Sequence, residues 1–258
     1  MKELKRILSY TRRAVDDYGM IEDGDKIAVG ISGGKDSLTL LYALAHLRIF
    51  YPKKFELCAI TIDMGFEGAD FSAVSALCEQ LEVEYKIIPT QISKIIFDVR
   101  KESNPCSLCA KMRRGAIHSS AVELGCNKVA LGHHFDDVVE TFMLNLFFEG
   151  RLGCFRPVTY LSRTGITLIR PMIYMPEKDI RYFASKAELP IIKSPCPADG
   201  NTEREEMKQL IAKLDRENKG LRYRIFGAIQ RGEIDGFKEC GKMDGMKAYD
   251  NDVLPYEE

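Results

Sequence analysis

One ten-residue stretch near the N-terminus limits the folds open to this chain. An apolar run that ends at Ile31 breaks into SGGKDS, and the chain then resumes as the helical stretch LTLLYALAHL. Gly33 and Gly34 lack a Cβ, so the chain can turn sharply there and let a ligand approach the backbone. Backbone N–H groups at a helix start hold phosphate oxygens well, because they lack intrahelical partners and the helix dipole favours anions. The stretch therefore predicts a strand, a tight anion-binding loop and a helix.

The side chains of this loop fit a nucleotide phosphate site. Lys35 adds a positive charge, and Ser32 and Ser37 add hydroxyl donors. Asp36 would either cap the helix or help to hold Mg²⁺ beside the phosphates. The run is not a Walker loop, because it is one residue short counted from Gly30 and an aspartate follows the lysine. An ordinary glycine-containing turn between a strand and a helix is the alternative.

Strand-like and helical stretches alternate through the first 150 residues. The runs KIAVGI, FELCAITIDM, EYKIIP and NKVALG read as strands. Helices are predicted near residues 36–49, 70–81, 108–123 and 136–148. This alternation predicts a parallel sheet with helices on both faces, and ligands in such folds bind at the carboxyl ends of the strands. Further on, PVTYL and ITLIRPM read as short extended pieces, and helical zones are predicted at 176–187 and 203–230.

Composition limits the class of protein. A chain of 258 residues with 45% hydrophobic residues suits one large α/β domain with a small appendage. A net charge of −1 argues against non-specific coating of nucleic acid. No stretch approaches the roughly 20 apolar residues of a membrane span, and the first helix lacks a signal-peptide core. We therefore expect a cytoplasmic protein without a membrane partner.

Charge varies along the chain and divides its C-terminal part. We predict an N-terminal helix at 1–24, a nucleotide-binding domain with the CxxC segment at 25–200, a basic helical extension at 201–232, and an acidic, loosely ordered tail at 233–258. The extension carries eight basic residues between Arg204 and Arg231. It indicates either a surface for RNA phosphates or a solvated helix with mixed ion pairs.

Two cysteines at a close spacing form a second candidate site. Cys106 and Cys109 make a CxxC, a pattern that binds one metal centre or performs disulfide chemistry. Cys196, between two prolines that fix the loop shape, is the best third partner. Three cysteines without an obvious fourth protein ligand favour an iron–sulfur cluster with one open iron over a closed zinc site. A redox disulfide between Cys106 and Cys109, or a purely structural role, stays open.

These motifs together resemble a known family. SGGKDS after a hydrophobic strand resembles the PP-loop of the ATP pyrophosphatases, which split ATP between the α and β phosphates and pass AMP to a substrate. CSLCAKMRRG, LGHHFDD, IRPM and CPADGNTER resemble segments of the TtcA-like tRNA 2-thiocytidine synthetases within that superfamily. The resemblance covers about residues 25–216. It implies the α/β fold of the adenine-nucleotide alpha-hydrolases plus a small C-terminal helical extension.

The resemblance also implies cofactors and site residues. Members use ATP and Mg²⁺ and carry a [4Fe-4S] cluster on three cysteines, which would be Cys106, Cys109 and Cys196 here. These three cysteines, with Lys35 and Asp36, would be the catalytic residues. The implied nucleotide site comprises Ser32, Gly33, Gly34, Lys35, Asp36, Ser37, Asp63, Gly132 and Asp137. Asp63 ends a predicted strand, and Asp137 lies at a predicted helix start, where a capping role competes.

The reaction implied by the resemblance is sulfur transfer to tRNA. Members replace the C2 oxygen of an anticodon-loop cytidine with sulfur, so the implied partners are tRNA and a sulfur donor, either sulfide or a cysteine desulfurase; a homodimer is a further expectation. Arg12, Arg13 and the basic extension are candidates for RNA contacts, and Arg113 and Arg114 for linking cluster and phosphates.

The sequence motifs are also compatible with two other functions. A PP-loop ligase or amidating enzyme would adenylate a different substrate without needing the three thiols. A non-catalytic module would bind ATP and zinc without releasing pyrophosphate.

Overall fold

A six-stranded sheet forms the centre of the molecule. The structure, a computed structural model, describes residues 2–100, 105–192, 196 and 203–240. The strands are β1 (Asp25–Ile31), β2 (Phe55–Asp63), β3 (Glu84–Pro89), β4 (Lys128–Ala130), β5 (Val158–Leu161) and β6 (Ile166–Ile169). Their order is β3-β2-β1-β4-β6-β5, and every neighbouring pair is parallel except β5 with β6. The predicted parallel sheet is therefore confirmed with one antiparallel edge strand, which a four-residue turn after β5 produces.

Helices connect these strands and cover the sheet. They are α1 (Lys2–Tyr18), α2 (Lys35–Phe50), α3 (Ser72–Gln80), α4 (Ile92–Lys94), α5 (Pro105–Glu123), α6 (Phe135–Phe148), α7 (Glu177–Lys186), α8 (Glu203–Glu217) and α9 (Leu221–Arg231). A π-helical turn follows α4 at Ile95–Arg100. Helix α5 begins three residues earlier than predicted, so the CxxC lies within its first two turns. The helical zone predicted at 203–230 is two helices, because Gly220 adopts a left-handed φ of 85° between them.

Side chains of β1 and β2 alternate between two apolar cores. Ile27 and Val29 pack in the larger core with α2, whereas Ala28 and Cys58 pack in the smaller one with Ile117 of α5. Successive strand residues point to opposite faces, so apolar residues at every position require helices on both faces. The prediction of a two-sided parallel sheet is confirmed. Within the described residues, no helix has the length and apolar character needed to cross a bilayer.

The C-terminal part packs on the domain through aromatic rings. Phe135, the first residue of α6, lies 5.0 Å from Tyr223 and 4.9 Å from Phe226 between ring centroids. Phe237 is 1% exposed and packs edge-on against Phe226 and Tyr18. The start of the tail predicted to be loosely ordered is therefore packed on the core, because Phe237 supplies an apolar anchor. Residues 241–258 of that tail lie outside the described residues.

A buried ion pair joins the amino ends of β1 and β4, on the edge opposite the glycine loop. Lys128 Nζ lies 2.7 Å from Asp25 Oδ2 and also donates to the carbonyl of Met20. Both side chains are at least 90% buried. Asn127 donates to the other carboxylate oxygen, so Asp25 is fully paired.

We predict that Lys128→Met lowers the free energy of unfolding by about 3–5 kcal/mol, because it leaves the Asp25 carboxylate buried without its cation. Lys86→Met is the matched control, since Lys86 pairs with Glu84 on the surface with both side chains close to half exposed. That change should cost less than about 1 kcal/mol. Urea unfolding followed by circular dichroism measures both, and equal losses would contradict the prediction.

Candidate phosphate and thiol site

The glycine loop connects β1 to α2 as predicted. Gly33 has a φ of 81°, a conformation that glycine adopts without a steric penalty. Ser37 Oγ accepts from the Ser32 backbone N–H at 3.2 Å and donates to the Gly34 carbonyl at 3.0 Å. The serine hydroxyls therefore brace the loop. Within the part of the chain that is described, no side chain caps α2, whose N-cap is Gly34, and such a helix start has N–H donors to offer an anion.

Gly132 brings the end of β4 against the first turn of α2. A Cβ at this position would lie 3.1 Å from the carbonyl carbon of Asp36 and 3.2 Å from the backbone nitrogen of Ser37. These neighbours are backbone atoms, so they cannot rotate away. The missing side chain of Gly132 therefore allows the two segments to touch, and its predicted role in the nucleotide site stays a prediction.

The start of α6 is fixed by a reciprocal cap. The backbone N–H of His134 donates to Asp137 Oδ2 at 2.8 Å, and the N–H of Asp137 points to His134 Nδ1 at 3.4 Å. Asp137 therefore caps the helix and also lines the cleft beside Lys35. Its neighbour Asp136 is buried, accepts from the backbone N–H of Glu177 at 2.7 Å, and pairs with Arg222 of α9.

A carboxylate that sequence reasoning missed lies next to the loop lysine. Lys35 Nζ is 2.9 Å from Asp36 Oδ2 and 3.1 Å from Glu177 Oε1. Burial alone would lower the pKa of Lys35, but these two carboxylates outweigh it and raise that pKa. Burial would likewise raise the pKa of Glu177, yet Arg181, Lys208 and Lys35 lower it to about 2. The ammonium and the carboxylate are therefore both charged at neutral pH.

Helix α8 closes one side of this cleft with two cations. Arg204 contacts Asp137 at 2.6 Å and Glu140 at 3.3 Å, and Lys208 contacts Glu177 at 3.0 Å. The basic extension thus directs part of its charge inward, and its predicted role as an RNA surface stays a prediction. The sequence signal for this pair was its spacing of four residues at a helix start, which places both on one face.

The cleft is small and rich in charge. Its volume is about 170 Å³, below the roughly 300–1,000 Å³ of typical small-molecule pockets, so it matches phosphate groups rather than a whole nucleotide. It is lined by Lys35, Asp36, His134, Asp137, Glu140, Glu177, Arg204, Glu205 and Lys208. Five acidic side chains face three basic ones, and among the described residues Asp36 Oδ1 is buried without a hydrogen-bond partner. A triphosphate would therefore fit together with a divalent cation, for which Asp36 and Asp137 offer oxygen ligands.

The predicted thiols lie at the same edge of the sheet. Cys106 is exposed, and Cys109, one turn later on α5, has its Sγ 4.0 Å from Met64 Sδ. Met64 directly follows Asp63, the last residue of β2. Burial raises the pKa of Cys109, the nearby Arg113 guanidinium opposes this rise, and the Cys196 and Cys106 thiols add to it. All three cysteines thus share one electrostatic neighbourhood.

The segment before Cys196 touches the glycine loop. The backbone N–H of Ile192 donates to the carbonyl of Gly33 at 2.9 Å, and Ile192 Cβ lies 3.0 Å from the position of a Cβ on Gly33. Cys196 follows four residues later, so its Cα lies within about 14 Å of that contact even with the chain fully extended. The fold therefore links the third thiol to the loop through a short piece of chain.

The donor set is compatible with an iron–sulfur cluster. Thiolates are the usual ligands of such clusters, and each would bond a different iron atom. Within the described residues, no three His, Cys, Asp or Glu side chains converge on the position of a single metal ion. The nearby Arg113 places positive charge beside Cys109, which would offset part of the negative charge of thiolate ligands.

Comparisons with known proteins show the family to which the chain belongs. The family model of the PP-loop domain matches residues 5–214. The chain is 40% identical to a tRNA-cytidine(32) 2-sulfurtransferase from Geobacter sulfurreducens, over 87% of this chain and 89% of that protein. It is 39% identical to a protein of the same name from Cupriavidus metallidurans, over 96% and 82%. The chain therefore belongs to the PP-loop family, in the branch of these relatives, and the resemblance noted from its motifs is confirmed.

A solved structure is similar in fold. The U34-tRNA thiolase NcsA from Methanococcus maripaludis, solved with its [4Fe-4S] cluster, superposes with a TM-score of 0.71 at 29% identity. The match covers 86% of this chain and 77% of that one. The relationship confirms the PP-loop α/β architecture predicted from the alternation of strands and helices.

We predict that Gly132→Ala lowers the free energy of unfolding by about 1–3 kcal/mol, since the added methyl group overlaps the backbone of α2. Gly115→Ala is the control, because a Cβ on this helical glycine meets no atom of the described structure within 4 Å. That change should stabilise α5 by up to about 1 kcal/mol. Chemical unfolding of the two variants provides the measurement. An unchanged free energy of unfolding in Gly132→Ala would contradict the predicted overlap with the backbone of α2.

A histidine whose ring nitrogen Nδ1 is buried without a hydrogen-bond partner among the described residues makes stability depend on pH. Burial, followed by the charges of Arg170 and Arg204, lowers the pKa of His133 to about 3. Because this folded-state pKa lies below the unfolded value of about 6.5, the unfolded chain binds the proton first, and stability falls as the pH drops from about 6.5 towards 3.

We therefore predict that the wild-type protein loses about 1–2 kcal/mol more stability between pH 7 and pH 5 than a His133→Phe variant. Phenylalanine keeps the ring that packs 4.8 Å from Phe155 and removes the proton-binding group. Unfolding curves at the two pH values measure the difference. Parallel losses in the two proteins would assign the acid sensitivity to other groups.

Proposed function

We propose that this protein is an ATP-dependent tRNA sulfurtransferase that replaces the C2 oxygen of an anticodon-loop cytidine with sulfur. The observation that carries the proposal is that the candidate thiol segments and the glycine loop lie at the same edge of the sheet. Cys109 lies beside Met64 at the end of β2, and Ile192, four residues before Cys196, is hydrogen-bonded to the glycine loop. The names of the relatives point to cytidine 32 of tRNA as the target.

The first step would be activation of the base by ATP. The C2 oxygen attacks the α-phosphorus, an O–P bond forms, the bond from the α-phosphorus to the bridging oxygen breaks, and pyrophosphate leaves. Lys35, Lys208 and the N–H groups at the start of α2 would stabilise the negative charge of the phosphates, which is where phosphoryl transfer gains most from a protein. Mg²⁺ would accompany ATP, with Asp36 and Asp137 as candidate ligands.

The second step would exchange oxygen for sulfur. A sulfide supplies the electron pair of the new C–S bond, the C2–O bond breaks, AMP leaves with the oxygen, and the sulfur loses its proton. A [4Fe-4S] cluster on Cys106, Cys109 and Cys196 would offer one iron without a cysteine ligand to hold the sulfur. Arg113 would place positive charge beside these thiolates. The sulfur would come from sulfide, free or delivered by a cysteine desulfurase, and a homodimer stays a prediction.

We predict that Cys196→Ala, prepared and reconstituted anaerobically with iron and sulfide, loses the broad visible absorbance of a cluster and at least about a hundredfold of its thiolation rate. Cys240→Ala is the matched control, since Cys240 lies at the far end of the described chain, and it should stay within about twofold. The assay supplies unmodified tRNA, ATP, Mg²⁺ and sulfide, and quantifies 2-thiocytidine by mass spectrometry of nucleosides and pyrophosphate release.

Three outcomes would contradict the proposal. Purified protein that contains stoichiometric zinc and no iron would exclude the proposed cluster. Pyrophosphate release with unchanged rate in Cys196→Ala would indicate a ligase that does not need the thiols. ATP binding without any pyrophosphate release would indicate a non-catalytic module.

A further inference from the structure

One carboxylate oxygen of Glu177 forms ion pairs with three cationic side chains from three helices. Oε1 of Glu177 lies 3.1 Å from Lys35 Nζ of α2, 3.0 Å from Lys208 Nζ of α8 and 2.9 Å from Arg181 Nη2 of α7. Of these three cations, the two lysines line the cleft with Glu177, and Arg181 does not. Because both ammonium nitrogens touch the same oxygen, they lie no more than about 6 Å apart. Without the carboxylate, two like charges would not stay so close in a half-buried place.

Glu177 itself is held firmly. Glu177 is only 7% exposed, and its backbone N–H donates to Asp136 Oδ2 at 2.7 Å. Asp136 is anchored in turn by Arg222 of α9. Glu177 is the first residue of α7, directly after the N-cap Pro176, so its backbone is held in the first turn of that helix. The carboxylate therefore acts as a fixed point, whereas the lysine side chains are flexible by nature.

The geometry orients the remaining donors of Lys35. An ammonium group has three N–H donors. Two of those on Lys35 are directed at Asp36 Oδ2, 2.9 Å away, and at Glu177 Oε1. The third then has a defined direction instead of rotating freely, and a phosphate oxygen is the natural acceptor for it.

We propose that Glu177 is a positioning residue that holds the ammonium groups of Lys35 and Lys208 side by side on one wall of the cleft, where they receive the phosphate groups of ATP. This inference rests on the proposed use of ATP and deepens it by assigning roles to Glu177 and Lys208. Glu177 acts through the lysines and does not itself contact the substrate.

The test compares Glu177→Gln, which keeps the shape and removes the charge, with Glu79→Gln, the same change at an exposed position of α3. Amine-reactive labelling at pH 7.5, quantified for each lysine by peptide mass spectrometry, reports on Lys35 without any nucleotide. We expect labelling of Lys35 to rise at least about fivefold in Glu177→Gln only, because its ammonium has lost a partner. We also expect the KM for ATP to rise about tenfold while kcat changes by less than about threefold.

A second pair of variants covers the case in which Glu177→Gln does not fold. Lys208→Gln and Arg181→Gln each remove one cation from Glu177, but only Lys208 lines the cleft. Lys208→Gln should weaken ATP binding about tenfold and Arg181→Gln by less than about twofold, measured by titration calorimetry with MgATP. Equal effects of the pair, or unchanged labelling and KM in a folded Glu177→Gln, would overturn the inference. Wild-type protein that binds no ATP would instead refute the proposed function, and the labelling result would still stand as a test of positioning.

Discussion

The contact between Gly132 and the first turn of α2 sets the distances on which the site depends. β1 and β4 are parallel neighbours, so the loop after one and the helix start after the other must share a narrow edge. A side chain at Gly132 would meet backbone atoms of Asp36 and Ser37 and push the two apart. Because it is absent, His134 Nε2 comes within 3.7 Å of Asp36. The loop and the capped start of α6 thereby form one surface.

Ion pairs connect helices α7, α8 and α9 to this surface. Glu177 arrives on α7, Arg204 and Lys208 on α8, and Arg222 on α9, and each pairs with a group near the glycine loop or the start of α6. These ion pairs are half-buried and directional, and the aromatic contacts of Phe135 with α9 add buried apolar area. Apolar packing and ion pairs together hold the C-terminal helices beside the cleft.

The thiol segments reach the same edge by two separate routes. Cys106 and Cys109 lie in the first two turns of α5, and Cys109 contacts Met64, the residue that follows β2. The chain after α7 passes the glycine loop at Ile192 and continues to Cys196. The candidate thiols and the candidate phosphate loop thus lie near the ends of the neighbouring strands β2 and β1, and the proposed function depends on this proximity.

Local sequence patterns determined the strands β1 to β4, the glycine loop and the two thiol segments, because apolar periodicity, glycine and the CxxC spacing act over a few residues. The same patterns missed the break at Gly220 and the early start of α5, since a helix boundary depends on single residues. From the sequence, Arg204 and Lys208 were predicted only as part of a basic extension, either an RNA surface or a solvated helix, and Glu177 was not singled out. Tertiary structure alone decided that they converge on Lys35, because a charge acquires a partner only when packing brings distant helices within a few ångströms.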